Sequence, residues 1–137
     1  MISEDRAREL YVRVKALKEH QQKLESHLDE LDSKTVQLRE MITAVKDVDT
    51  LLEGDDILVP LANGIFMPAT AQKTDHLILH VGADTTVKKT PSETVEILEK
   101  QLTELAGFRE QLLVQYNEVV AESERVEAEV KSEVGDV

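Results

Sequence analysis

From Leu10 to Leu52 the chain places apolar residues at spacings that alternate between four and three. The positions are Leu10, Val14, Leu17, Gln21, Leu24, Leu28, Leu31, Thr35, Leu38, Ile42, Val45, Asp49 and Leu52, and ten of the thirteen are apolar. The sub-series at period seven is Leu throughout except for Val45. A repeat this strict marks a coiled-coil seam rather than an ordinary amphipathic helix. Ser3 is the predicted N-cap, with Glu4 and Asp5 where the helix dipole favours acids, and Gly54 supplies the stop. The pattern predicts a helix over residues 3–53.

A second arm opens at Thr90-Pro91-Ser92-Glu93. Thr90 can cap, Pro91 suits the first helical position and Glu93 completes a capping box. The seam then runs through Val95, Leu98, Leu102, Leu105, Arg109, Leu112, Tyr116, Val119, Ser123, Val126 and Val130, nine of eleven apolar. This predicts a helix over residues 91–134, with Gly107 tolerated in its interior at a cost of about 1 kcal/mol relative to Ala.

The polar seam positions select a pairing. In an antiparallel hairpin, facing residues have a nearly constant sum of residue numbers. A sum of 144 sets Thr35 against Arg109 and Gln21 against Ser123, forming two polar layers, and Leu28 against Tyr116. A shift of one heptad either way puts Thr35 and Gln21 against apolar partners, and each unpaired buried polar group costs about 1–3 kcal/mol. The two arms are therefore expected to fold back on each other.

Between the arms, over residues 55–89, the pattern changes to strands. Asp56–Leu61 and Ile65–Thr70 flank Ala62-Asn63-Gly64, and Asn-Gly between apolar runs signals a hairpin. His76–Val81 and Thr86–Lys89 flank the turn Gly82-Ala83-Asp84-Thr85. Two hairpins are too small a sheet to cover their own apolar face, and open edges invite partners. The expected fold is a single α+β domain, mainly α: a long antiparallel coiled-coil hairpin whose two β-hairpins join an oligomeric β-barrel.

Composition agrees with this architecture. Aromatic residues are 3% and charged residues 32% of the 137, a mixture suited to long helices rather than a compact core. The net charge of −12 argues against nucleic-acid binding, which rests on Lys and Arg neutralising phosphates. The acidity is uneven: the last 46 residues carry 12 acids and 4 bases. No apolar run approaches the ~20 residues of a membrane span, and Met1-Ile2-Ser3 leads into charge without a signal pattern. The expectation is a cytoplasmic protein with no membrane partner.

Little suggests chemistry. There is no cysteine to bind metal or act as a nucleophile. His76 and His80 share a strand face about 13 Å apart. His20 and His27 lie about 10 Å apart along a helix, so neither pair suits one metal ion. No phosphate-cradling glycine loop is present. The chain is expected to be no enzyme and to need no cofactor or metal. The functional candidates are instead the ends of the arms, where Ile2, Leu10 and Val14 meet Val126, Val130 and Val134 amid Glu122, Glu124, Glu127, Glu129 and Glu133.

Leu58-Val59-Pro60-Leu61, Gly64-Ile65-Phe66-Met67-Pro68-Ala69, Leu79-His80-Val81-Gly82-Ala83 and Val87-Lys88-Lys89, in this order between two heptad arms, resemble the α-type subunit of prefoldin, especially its archaeal form. The resemblance covers the whole chain, and two hairpins rather than one distinguish the α-type from the β-type subunit. The chain departs from the usual pattern at Ala62-Asn63 and at Ala83-Asp84-Thr85-Thr86. The resemblance implies a hetero-hexamer of two α-type and four β-type subunits, built on a double β-barrel. It implies an ATP-independent holdase whose coiled-coil tips capture non-native client proteins and pass them to a group II chaperonin. It makes Ile57, Val59, Phe66, Leu77, Leu79 and Val81 assembly residues, and the end residues named above client contacts. The alternative is a scaffold or filament-forming relative that binds no clients.

Overall fold

The computed structural model describes residues 4–72 and 75–134. Helix α1 (Glu4–Asp49) leads into strands β1 (Asp56–Ala62), β2 (Ile65–Thr70), β3 (Leu77–Gly82) and β4 (Thr85–Lys89), and helix α2 (Pro91–Val134) follows. The strands form two separate antiparallel hairpins, β1-β2 and β3-β4. The protein is thus mainly helical, with two small hairpins between two long helices. It divides into two compact units, Met1–Thr35 with Glu104–Val137, and Val36–Thr103.

In the first unit the heptad positions do the packing. Leu10, Leu24, Val119, Ser123 and Val126 are buried, while Val14, Leu17, Gln21, Leu28, Leu31, Leu112, Tyr116 and Val130 are half-buried. Tyr11 and Val12, just off the seam, stand exposed. The helices run antiparallel, because their cross-links pair rising numbers with falling ones. Arg6 meets Glu129, Arg13 meets Glu122, Tyr116 Oη donates to Glu25 Oε1 at 2.9 Å, and Arg109 Nε donates to Asp32 Oδ1 at 2.7 Å.

The polar layers differ in detail from the expected ones. Arg109 reaches Asp32, one turn from Thr35, while the Thr35 hydroxyl donates to Leu31 O of its own helix at 2.9 Å. A Thr inside a helix can satisfy itself on the preceding turn. The Arg109 and Asp32 side chains are each about half exposed, so the guanidinium is paired at the rim of the seam rather than within it. Ser123 is buried and Gln21 half-buried, and the amide of Gln21 lies 3.5 Å from Glu25 on its own helix.

In the second unit, Leu38, Ile42, Val45, Val95 and Leu102 are half-buried and Leu98 is buried. The seam continues to Leu52, but α1 stops at Asp49 and Leu52 is exposed. The stop is local: the Thr50 hydroxyl donates to Asp47 O at 2.6 Å, and Asp55 Oδ2 accepts the Leu52 N–H at 2.8 Å. These bonds capture groups that another helical turn would have used. Gly54 follows with φ 92°. At the start of α2 the capping box forms, with Glu93 N–H donating to Thr90 Oγ1 at 3.0 Å and Thr90 N–H to Glu93 Oε1 at 3.2 Å. Thr94 is buried there, its hydroxyl on Thr90 O at 2.8 Å.

Each hairpin carries a register shift just before its turn, at Leu61 and at Val81. In the first, Gly64 takes φ 75° while Asn63 does not enter the left-handed region. In the second, Asp84 adopts φ 63°, a conformation that costs a residue with a Cβ about 1–2 kcal/mol.

Candidate functional site

Directly opposed strand residues share a face. In β1-β2, Ile57 pairs with Ala69 and Val59 with Met67, while Leu58 pairs with Pro68 and Pro60 with Phe66. Both faces of this hairpin are therefore apolar. The first is partly covered, with Ile57, Val59 and Ala69 half-buried. The second is open, with Leu58 67% and Phe66 55% exposed. In β3-β4 the half-buried face is Leu77, Leu79 and Val87, and the open one mixes Ile78 and His80 with Thr86 and Lys88. Val81 stands exposed at the register shift. Of the six residues expected to serve assembly, Ile57, Val59, Leu77 and Leu79 thus lie on half-buried faces, and Phe66 and Val81 project outward.

The second candidate surface lies where the ends of α1 and α2 meet. Leu10 and Val126 are each only 1% exposed, one on each helix of the seam. Val14 and Val130 are half-buried. Ile2 and the side chain of Val134 lie outside the described residues. Around this pair ion pairs cross between the helices, while Arg6 also meets Glu9 of its own helix at 3.4 Å. Arg6, Arg13 and Lys18 on α1 engage Glu129, Glu122 and Glu127 on α2, the last at 3.5 Å. Glu122 also meets Arg125 of its own helix. The acidity of the last third thus neutralises the cations of the first arm, besides keeping the surface solvated. The Glu129 carboxylate raises the pKa of Arg6 above its ordinary value, and Asp32 does the same for Arg109. The bond to Glu25 holds the Tyr116 phenol protonated above its usual range.

Several exposed apolar residues carry no signal in the principal seam. Tyr11 and Val12 are 71% and 63% exposed on α1 beside Leu10. Phe108, next to Gly107, is exposed at the rim of a shallow groove of about 350 Å³ formed with His27, Leu31 and Leu112. Met41, Val48 and Leu51 are exposed near the end of α1. What could have revealed them is a second count of helical spacing away from the seam.

His20, His27, His76 and His80 are all exposed. Among the described residues no three His, Asp or Glu side chains gather as metal ligands. No helix of the described residues is long and apolar enough to cross a membrane.

Comparison with known proteins places this arrangement. Residues 17–136 match the family model described as prefoldin subunit. Prefoldin subunit alpha of Thermofilum pendens is 30% identical over 90 residues, 66% of this chain and 70% of that protein. Prefoldin subunit alpha of Methanoculleus marisnigri is 30% identical over 121 residues, covering 82% of this chain and 79% of that protein. Among solved structures, a filamentous PFD from Methanocaldococcus jannaschii, determined by cryo-EM, superposes with a TM-score of 0.77 at 25% identity. That match covers 87% of this chain and 98% of that one.

Proposed function

Since the chain belongs to the prefoldin family, resembling its archaeal alpha subunits, we propose that it is the α-type subunit of an ATP-independent holdase. Family membership implies assembly with other prefoldin subunits. The finer reading is a cytoplasmic hetero-hexamer with β-type subunits, in which the helix ends hold non-native proteins and pass them to a group II chaperonin. The observation that carries it is the open apolar face of β1-β2, with Leu58 and Phe66 in water. In a chain of net charge −12 with so few aromatics, such a face is a cost unless a neighbour covers it. Assembly then sets several weak apolar ends around one client, and avidity replaces a deep pocket. Tyr11 and Val12, exposed beside Leu10, support the grip with residues that reach solvent without opening the seam.

The test is suppression of aggregation of a chemically denatured protein by the purified complex at stoichiometric amounts, without nucleotide. Deleting residues 1–12 and 125–137 should abolish suppression and leave assembly intact. Suppression equal to that of the full-length complex removes the helix ends from the mechanism, and no suppression by either removes the holdase.

A second reading, a scaffold that polymerises and holds no clients, is favoured by the filamentous solved relative. Long polymers seen by electron microscopy of the chain alone, inert toward denatured protein, support it. Discrete oligomers of defined mass support the holdase.

A further inference from the structure

The seam that shows which faces of α1 and α2 pair says little about how far along each other the helices lie. At period seven α1 carries Leu10, Leu17, Leu24 and Leu31, so a partner slid by one heptad meets the same side chains again. The polar seam residues do not break this degeneracy. The Thr35 hydroxyl is satisfied by Leu31 O at 2.9 Å, and the Gln21 amide lies 3.5 Å from Glu25, both on α1 itself. What changes with a slide is the pairing along the two rims of the seam. Arg6 and Arg13, one heptad apart, meet Glu129 and Glu122, also one heptad apart. Lys18 meets Glu127 at 3.5 Å. Glu25 and Asp32, again one heptad apart, accept from Tyr116 Oη at 2.9 Å and Arg109 Nε at 2.7 Å. In these cross-helix pairs α1 supplies the cations as far as Lys18 and the carboxylates at Glu25 and Asp32. A pattern of one sign survives a slide; a pattern that reverses does not.

We propose that this reversal is a register lock: Glu25 and Asp32, engaged by Tyr116 and Arg109, hold the two helices at the one longitudinal setting that the leucine seam alone leaves open. Slid one heptad toward the N-terminus of α1, α2 brings Arg109 to Glu25. That slide leaves Asp32 without its donor, takes Glu127 away from Lys18 and sets Gln115 beside Arg13. Slid the other way, α2 carries Glu127 from Lys18 to Glu25, carboxylate against carboxylate, and takes Arg109 from Asp32. Each pair is partly exposed and adds little to stability by itself. Register, however, is a difference between competing settings, and like charges in the wrong one are as effective as opposite charges in the right one. The lock determines where the two helix ends finish. One heptad of slide displaces one helix about 10 Å along the other and parts Arg6 from Glu129. It acts equally in a holdase and in a scaffold.

The chain contains no cysteine, so Lys15→Cys and Glu110→Cys, at exposed sites outside these pairs, take spin labels without background. Pulsed electron paramagnetic resonance on the full-length chain reads their separation, and far-ultraviolet circular dichroism reads helix content. The labelled parent should give one narrow distance. Asp32→Arg sets a guanidinium against Arg109 and favours the slide in which Arg109 meets Glu25, so a second population should appear with the labels closer by up to about 10 Å. Adding Arg109→Asp restores opposite charges in the original setting and should restore the parent distance. A parent-like distance in Asp32→Arg with helix content intact overturns the lock, and so does a displaced distance that Arg109→Asp fails to reverse. If Asp32→Arg loses helix content, the milder Glu25→Gln with Asp32→Asn decides: a broadened distribution supports the lock, and a narrow unchanged one overturns it.

Discussion

Leu10→Ala separates two roles that the end of the helix pair can have. Leu10 is 1% exposed and lies against a seam closed by Val126, also 1% exposed. Truncating a fully buried Leu costs about 2–5 kcal/mol, the lower values belonging to sites that can collapse around the gap. Leu10 lies two turns inside the described start of α1, so the lower end applies, about 2 kcal/mol. Hydrogen exchange read by mass spectrometry should then show the amides around residues 6–18 opening about 30-fold more often. Val12→Ala, at a 63% exposed site on the same turns, should leave exchange unchanged. The aggregation assay runs on both variants. If Leu10→Ala leaves exchange at the wild-type level while client holding disappears, Leu10 faces solvent in the working protein and the closed seam is not its resting state.

Other outcomes follow from single positions. Gly107 is exposed in the interior of α2, and a Cβ there meets nothing within 4 Å, so Gly107→Ala should stabilise by about 1 kcal/mol in urea unfolding. Asp84→Gly relieves the left-handed conformation at φ 63° and should stabilise by about 0.5–1 kcal/mol, read as a higher thermal midpoint; an unchanged midpoint means the turn relaxes elsewhere. The backbone N–H and hydroxyl of Thr90 lower the pKa of Glu93 below 4.5. The charged form is therefore favoured by folding. The cap's contribution is full above the unfolded value near 4.5 and is lost as pH falls through the lower folded value, so exchange at residues 92–96 should accelerate in that window. Glu93→Gln should flatten this response. In a Tyr11→Phe background, phenolate absorbance should appear above the ordinary value of 10.0, and Glu25→Gln should move it back down.

How much was legible depends on how strongly each feature is over-determined. The seam was readable because seven positions at period seven agree, and burial follows them from Leu10 to Val45. The capping box was readable because Thr90 and Glu93 satisfy each other locally, without tertiary help. The end of α1 was not: apolar periodicity continues to Leu52, and only the bonds of Thr50 and Asp55 decide against another turn. The partner of Arg109 was not either, since a long side chain chooses among carboxylates within one turn and Asp32 lies nearer the solvent than the seam.

The closed seam also constrains how a holdase of this kind could act. A client that takes hold of Leu10 and Val126 must first separate them, exposing two side chains whose burial is worth about 1.5–3 kcal/mol each. Separation also breaks the Arg6–Glu129 and Arg13–Glu122 pairs, which are partly exposed and weaken with salt. One helix pair acting alone therefore starts at a disadvantage of about a thousandfold. Linking several such ends recovers about 10²–10⁴ through effective concentration, enough to offset opening and no more. Capture by the seam should consequently exist only in the assembled complex and strengthen with added salt. Capture by Tyr11 and Val12 needs no opening and should persist, weakly, in the isolated chain. Measuring client binding of the isolated chain and of the complex at low and high salt distinguishes them, and binding that is equally strong in both states is incompatible with a seam that must open.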